Sequence, residues 1–270
     1  MAIPTTKLNT ELLLPNVGFG LWKNKDREEC IATVIEAIHA GYRHFDSAQV
    51  YGNEEYLAEG IKQSGVDRKD VFITTKIRVE NFLRVNKSFQ KSLENLQSDY
   101  VDLLLLHFPV PVVRGKAWKK LEALHKDGTA KSIGVSNYTI RHLEQLLKDC
   151  EIVPAVNQVE LHVFLQQPGL LEYCREKGIA VEAYSPLAHG KGISNSVLAD
   201  IGKKHSKTPA QIMLRWCSEV GTIPLPKSVT PERIKQNIDI FDFKLDDEDM
   251  QKIVTLDSGM RTCWDPTHVI

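Results

Sequence analysis

From residue 16 onward, short apolar stretches alternate with longer amphipathic ones. The stretches that read as strands are NVGFG (16–20), YRHFDSA (42–48), VFITTKI (71–77), VDLLLLH (101–107), SIGVSN (132–137), PAVNQVE (154–160), AVEAYSP (180–186) and TIPLPKS (222–228). Between them lie helical patterns. In EECIATVIEAIHA (28–40), Ile31, Val34, Ile35 and Ile38 recur at i, i+3, i+4 and i+7, which places them on one helix face. Gly41 follows, where a helix C-terminus favours glycine. Similar helices fall at 85–97, 117–128, 141–150, 169–178, 209–221 and 231–241.

Strands that alternate with helices predict βα units and a parallel sheet. No Pro/Gly/Ser-rich linker or charge block interrupts the alternation, so residues 1–270 read as a single domain. Eight units in a chain close to the roughly 250 residues of an α/β barrel favour a closed (β/α)8 TIM barrel over an open doubly wound sheet. The segment 7–15 reads as a β-hairpin capping the bottom of that barrel. Residues 246–256 read as a C-terminal surface helix, and 258–270 as loop.

Composition removes several function classes. Lys plus Arg number 34 and Asp plus Glu 35, so the net charge of −1 offers no broad field for nucleic acid or an anionic membrane. Any anion must be bound locally. The five cysteines include no C-x-x-C pair, which suggests neither a disulfide framework nor a zinc site, and no metal is expected. With no apolar run approaching the ~18 residues needed to cross a bilayer, the expectation is a cytoplasmic monomer acting on a small molecule.

The active site of a barrel lies at the C-terminal ends of its strands, so polar residues there come first. Four stand out: Asp46 near the end of the second strand, Tyr51 in the loop after it, Lys76 ending the third and His107 ending the fourth. Each has a bland reading. Asp46 could hold a loop, Tyr51 could pack with a wet hydroxyl, and His107 could be a satisfied core histidine. Lys76 is harder to dismiss, because a strand lysine needs a partner when buried, and Asp46 would supply it. Taken together, a lysine beside a phenol would lower the pKa of Tyr51 toward neutrality and make it a usable acid. His107 would then hold the substrate oxygen.

The chain also resembles the aldo-keto reductase superfamily, which includes 2,5-diketo-gluconate reductase, prostaglandin F synthase and aldose reductase. The resemblance runs through GYRHFDSAQVYGNE (41–54), ITTK (73–76), VDLLLLHFP (101–109), SIGVSNY (132–138), NQVELH (157–162), AYSPL (183–187) and IPLPKSVTPERIKQN (223–237). It implies NADPH-dependent reduction of aldehydes and ketones, with Asp46, Tyr51, Lys76 and His107 as the catalytic tetrad. It implies that Ser136, Asn137 and Gln158 bind the nicotinamide carboxamide, that Tyr184 stacks on the ring, and that Ser185 and Leu187 lie along the pyrophosphate. Lys227, Ser228 and Arg233 fall at the site of the adenosine 2′-phosphate. Gln236 and Asn237 fall near the adenine, with Gln236 where many members carry Glu. Trp22, Val50 and Phe108 map onto the apolar substrate pocket beside His107, Phe108 replacing a more usual Trp. Little chain follows residue 256, which implies an open pocket.

Three other readings compete. Gly18-x-Gly20 would open a dinucleotide fingerprint, but Lys23 stands where its third glycine belongs. A metal-dependent hydrolase could use His44 and Asp46, although no second cluster of ligands supports it. A regulatory module that binds the cofactor without turning over is the non-enzyme alternative, and the intact tetrad argues against it.

Overall fold

The computed structural model describes residues 3–270. Strands β1 (Thr5–Lys7) and β2 (Leu13–Pro15) pair antiparallel as the expected hairpin. The barrel follows: β3 (Phe19–Gly20), β4 (His44–Asp46), β5 (Phe72–Ile77), β6 (Val101–Leu106), β7 (Ala130–Ser136), β8 (Val156–Glu160), β9 (Ala180–Tyr184) and β10 (Thr222–Leu225). All neighbours pair parallel in chain order. All eight strands were legible, each within a few residues of its expected span. Closure comes from two backbone bonds along the β3 and β10 segments and the residues flanking them, Gly18 N to Pro224 O and Gly20 N to Pro226 O, both 3.0 Å.

Those bonds explain the glycine pair. A Cβ at Gly18 would stand 2.5 Å from Leu225 and 2.6 Å from the His44 ring, so the first strand can reach the last only without a side chain there. The pair closes the barrel and has no part in a dinucleotide fingerprint.

Among the described residues, ten α-helices surround the strands: α1 (Arg27–His39), α2 (Glu54–Ser64), α3 (Val85–Leu96), α4 (Arg114–Lys126), α5 (Ile140–Asp149), α6 (Pro168–Glu176), α7 (Ser196–His205), α8 (Pro209–Glu219), α9 (Pro231–Ile238) and α10 (Asp247–Val254). Gly41, at φ +107°, ends α1 as expected. The surface helix is α10, its N-terminus capped by Asp246. The chain inserts α7 ahead of the expected α8, giving the β9–β10 connection two helices. No described helix is long and apolar enough to cross a membrane.

Strand periodicity sorts the barrel interior into layers. On β6, Leu104 and Leu106 face the helices, while Leu103 and Leu105 join Phe72, Val156 and Ile223 in a bottom layer plugged by Leu8 and Leu14 of the hairpin segment. Two residues higher on the same inward face, β5 and β8 turn polar, Thr74 following Phe72 and Gln158 following Val156. Lys76 and Glu160 come next. The apolar bottom thus fixes the register that lifts the polar residues toward the mouth.

Candidate active site

Lys76 is fully buried at the upper end of β5, and its ammonium uses all three protons on named acceptors. They go to Asp46 Oδ2 at 2.7 Å, Ser47 O at 2.9 Å and Tyr51 Oη at 3.1 Å. The charge is therefore matched by Asp46, as a buried lysine requires. Because Tyr51 Oη accepts from Lys76, its own proton is free to point away from the lysine. The His107 ring packs edge-on against Tyr51, with centroids 5.8 Å apart, and Trp22 lies 5.0 Å away on another side. The structure thus brings together all four residues of the expected tetrad.

The expectation that Lys76 draws the Tyr51 hydroxyl toward neutrality is not met. Burial, and next the negative charge of Asp46, hold it well above an ordinary phenol. The physical reason is that Lys76 is already neutralised by Asp46, so Tyr51 meets an ion pair and not a lone cation. Tyr51 keeps its proton until a strong base arrives. Burial, with help from Lys76, pushes His107 down to about 3, so its imidazole is neutral at ordinary pH.

The turn that carries Tyr51, a 3-10 turn at Gln49–Tyr51, is tied on both sides. Gln49 donates to Ser88 O and Ser92 Oγ and accepts from the Arg78 amide and Asn81. Asn53, fully buried, accepts from Ser47 Oγ and donates to the carbonyls of Leu21 and Asn24. It locks the Tyr51 turn to the loop carrying Trp22. Sequence reasoning missed it, because a loop asparagine looks the same whether it is wet or buried.

The residues expected at the cofactor lie along one side of the mouth. Ser136 ends β7 with Asn137 directly after it, Gln158 is on β8, and Tyr184 ends β9, its hydroxyl donating to Asn137 Oδ1 at 2.7 Å. Asn137 in turn donates to His107 O and Ser136 Oγ, both at 3.0 Å. Gln158 Nε2 is held by Asp46 Oδ1 and Glu182 Oε2, which leaves its carbonyl oxygen as the group it can offer a carboxamide. Ser185 and Leu187 are half-buried in the loop that follows.

Past β10, Lys227 and Arg233 are exposed beside the start of α9, with Ser228 buried between them in sequence. Unlike Lys207, which pairs with Asp239 and Asp242, neither cation is in an ion pair among the described residues. Thr230, the N-cap of α9, makes no side-chain cap, so donors of the first turn are available to an anion. Gln236 is exposed on α9, and Asn237 is turned into the interior. His44 and Asp46, the pair a metal hydrolase would share, are committed to Thr74 and to Lys76 and Gln158.

Residues 16–258 match the model of the aldo/keto reductase family. The chain belongs to the aldo/keto reductase family. It is 45% identical over 268 residues to glyoxal reductase of Bacillus subtilis (strain 168), covering 98% of this chain and 97% of that one. To methylglyoxal reductase DkgA of Escherichia coli O157:H7 it is 42% identical over 271 residues, 98% of each chain. Among solved structures, an aldo/keto reductase from Brucella melitensis superposes with a TM-score of 0.91 at 44% identity, covering 94% of this chain and all of that one. The protein is an oxidoreductase acting on carbonyl groups, in a family that uses nicotinamide cofactors, and the donors just described fit such a cofactor.

The tail of this reductase departs from the open mouth expected of so short a C-terminus. After α10 the chain turns back over the barrel. The Ser258 and Met260 amides donate to Phe164 O, then Glu160, at the upper end of β8, accepts from Thr262 N, Thr262 Oγ1 and Cys263 N. Trp264 stands edge-on to Phe108 at 6.2 Å. The final carbonyls accept from Arg141, His142 and Arg114. One buried carboxylate and three side chains on α4 and α5 thus anchor the tail and hold Trp264 against Phe108. Val50 and Trp22 are both exposed, Trp22 against the Tyr51 ring.

Proposed function

We propose that this chain, as a single-domain cytoplasmic monomer, reduces small, aromatic and dicarbonyl aldehydes and ketones with NADPH, Tyr51 giving the proton. The observation that carries the reading is the saturated Lys76 ammonium, which accepts no further partner and leaves the Tyr51 proton for the mouth. When bound, the reduced nicotinamide supplies the hydride that goes to the carbonyl carbon. The carbonyl oxygen gains negative charge as this happens and becomes a far stronger base than a phenolate. Tyr51 then protonates it, despite a pKa held above the ordinary phenol, and the Lys76 N–H already on Tyr51 Oη stabilises the charge left behind. Neutral His107 donates one ring N–H to the same oxygen and orients it. Substrate class follows the relatives named glyoxal and methylglyoxal reductase and the aromatic wall of Trp22, Phe108 and Trp264.

The preference for NADPH rests on Lys227, Ser228 and Arg233. The net charge of −1 supplies no general attraction, so a 2′-phosphate must be read at this junction. Glu232 in the first turn opposes it in part, but two free cations outweigh one exposed carboxylate. A charge-assisted bond is worth about 1.5–3 kcal/mol, so one such bond gives roughly a tenfold preference. The expected result is NADPH binding at least ~10-fold tighter than NADH, falling on Arg233→Met and with added salt. Titrating both dinucleotides against intrinsic fluorescence tests it. Equal affinities in the wild type would remove NADPH from the reading.

The tail makes a separate forecast. Trp264→Ala removes a ring that an aromatic substrate would meet beside Phe108, a contact worth about 0.5–1.5 kcal/mol, so KM for aromatic aldehydes should rise about two- to tenfold with kcat nearly kept. Steady-state kinetics on aromatic and aliphatic aldehydes would show it. An unchanged KM would mean that the tail stands clear of the substrate.

A further inference from the structure

Beneath the tetrad lies a buried acid with no assigned role. Glu182 is in the middle of β9, its side chain fully enclosed in the barrel. Its Oε2 accepts from Gln158 Nε2 at 2.8 Å, and the same nitrogen donates to Asp46 Oδ1 at 2.7 Å. Asp46 Oδ2 then accepts from Lys76, which donates to Tyr51. A chain of hydrogen bonds, none longer than 3.1 Å, thus runs from Glu182 to the hydroxyl that donates the proton. The other oxygen, Oε1, has no hydrogen-bond partner among the described residues and lies 3.5 Å from His44 Nε2.

We propose that Glu182 is a positioning residue for carbonyl reduction, its protonated carboxyl group holding Gln158 and, through it, the Asp46–Lys76 pair beneath Tyr51. The proposal rests on the reading of Tyr51 as the proton donor. The charges facing Glu182 are few. Asp46 and His44 come from β4 and Lys76 from β5, while β10 contributes the apolar Ile223 and Leu225. Glu160, His162 and His107 lie higher, around the mouth. If Glu182 were ionised, two carboxylates would share one amide of Gln158 and one ammonium. Burial first, then Asp46, pushes its pKa up to about 8, so it carries a proton at neutral pH. Burial pushes His44 down to about 3, leaving a neutral ring whose Nε2 is the nitrogen nearest the bare oxygen.

Loss of that proton adds a negative charge below Tyr51, binds the phenol proton more tightly and slows its transfer. Tyr51 itself, held well above 10, does not titrate in this range. The test is the pH profile of kcat with saturating NADPH and a small aldehyde, for the wild type and Glu182→Gln, between about pH 6 and 10. Glutamine keeps the volume and the acceptor oxygen but cannot ionise. The wild type should lose activity with an apparent pKa of about 8. The variant should match it at pH 7 and hold its activity at least about one pH unit higher.

A wild-type profile flat through pH 9 overturns the proposal even if the variant does not fold. So does a variant with the wild-type limb, or a folded, NADPH-binding variant inactive at every pH. Tyr51→Phe assayed in parallel separates the two readings. If it stays active, the proton-donor reading fails; if it is inactive while the limb ignores Glu182, only Glu182 is refuted.

Discussion

Tyr51→Phe should lower the rate of carbonyl reduction by about 10²–10⁴-fold, the usual contribution of a positioned general acid, with dinucleotide affinity nearly unchanged. The ring fills the same space between Trp22 and His107, so packing is kept and only the hydroxyl is lost. Lys76 loses one of three acceptors but keeps Asp46 and Ser47 O, which limits the structural cost. Single-turnover rates with prebound NADPH, together with the dinucleotide Kd, measure both quantities. A variant that keeps more than about a tenth of the wild-type rate would remove Tyr51 from the proton-transfer step.

Lys76→Met should be costly in two ways. It leaves Asp46 buried with no cation, and breaking a buried pair by removing one partner typically costs about 3–5 kcal/mol. Urea unfolding reads that loss. The variant also removes the N–H that stabilises Tyr51 Oη as its proton leaves, so reduction should fall by at least ~10²-fold at a pH where the variant is folded. On the proposed reading both residues serve one proton transfer, so Lys76→Met with Tyr51→Phe should be little slower than the slower single variant. Rate losses that multiply fully would give Lys76 a role independent of Tyr51.

Much of this site was legible in the sequence because barrel geometry is periodic. Asp46 and Lys76 are polar residues in otherwise apolar strands, and a strand position near the C-terminal end of a barrel leads to the active site. Glu182 in AVEAYSP carries the same signal, a carboxylate inside an apolar strand, and reading that stretch only for Tyr184 and Ser185 passed over it. The Glu160 anchor was less accessible. Its donors, Thr262 and Cys263, follow it by about a hundred residues in a segment with no periodicity, and the short tail alone suggested an open mouth. The pKa of Tyr51 was misread for a related reason. Sequence places a lysine beside a tyrosine but does not show that the lysine is already neutralised.

An enzyme on this barrel turns over its cofactor, whereas a regulatory module merely holds it. The most direct measurement follows NADPH and product together when purified protein is given methylglyoxal. One alcohol should form per NADPH consumed, over many turnovers, with Tyr51→Phe nearly inert. NADPH that binds tightly but is never consumed, by any small aldehyde or dicarbonyl offered, would contradict it.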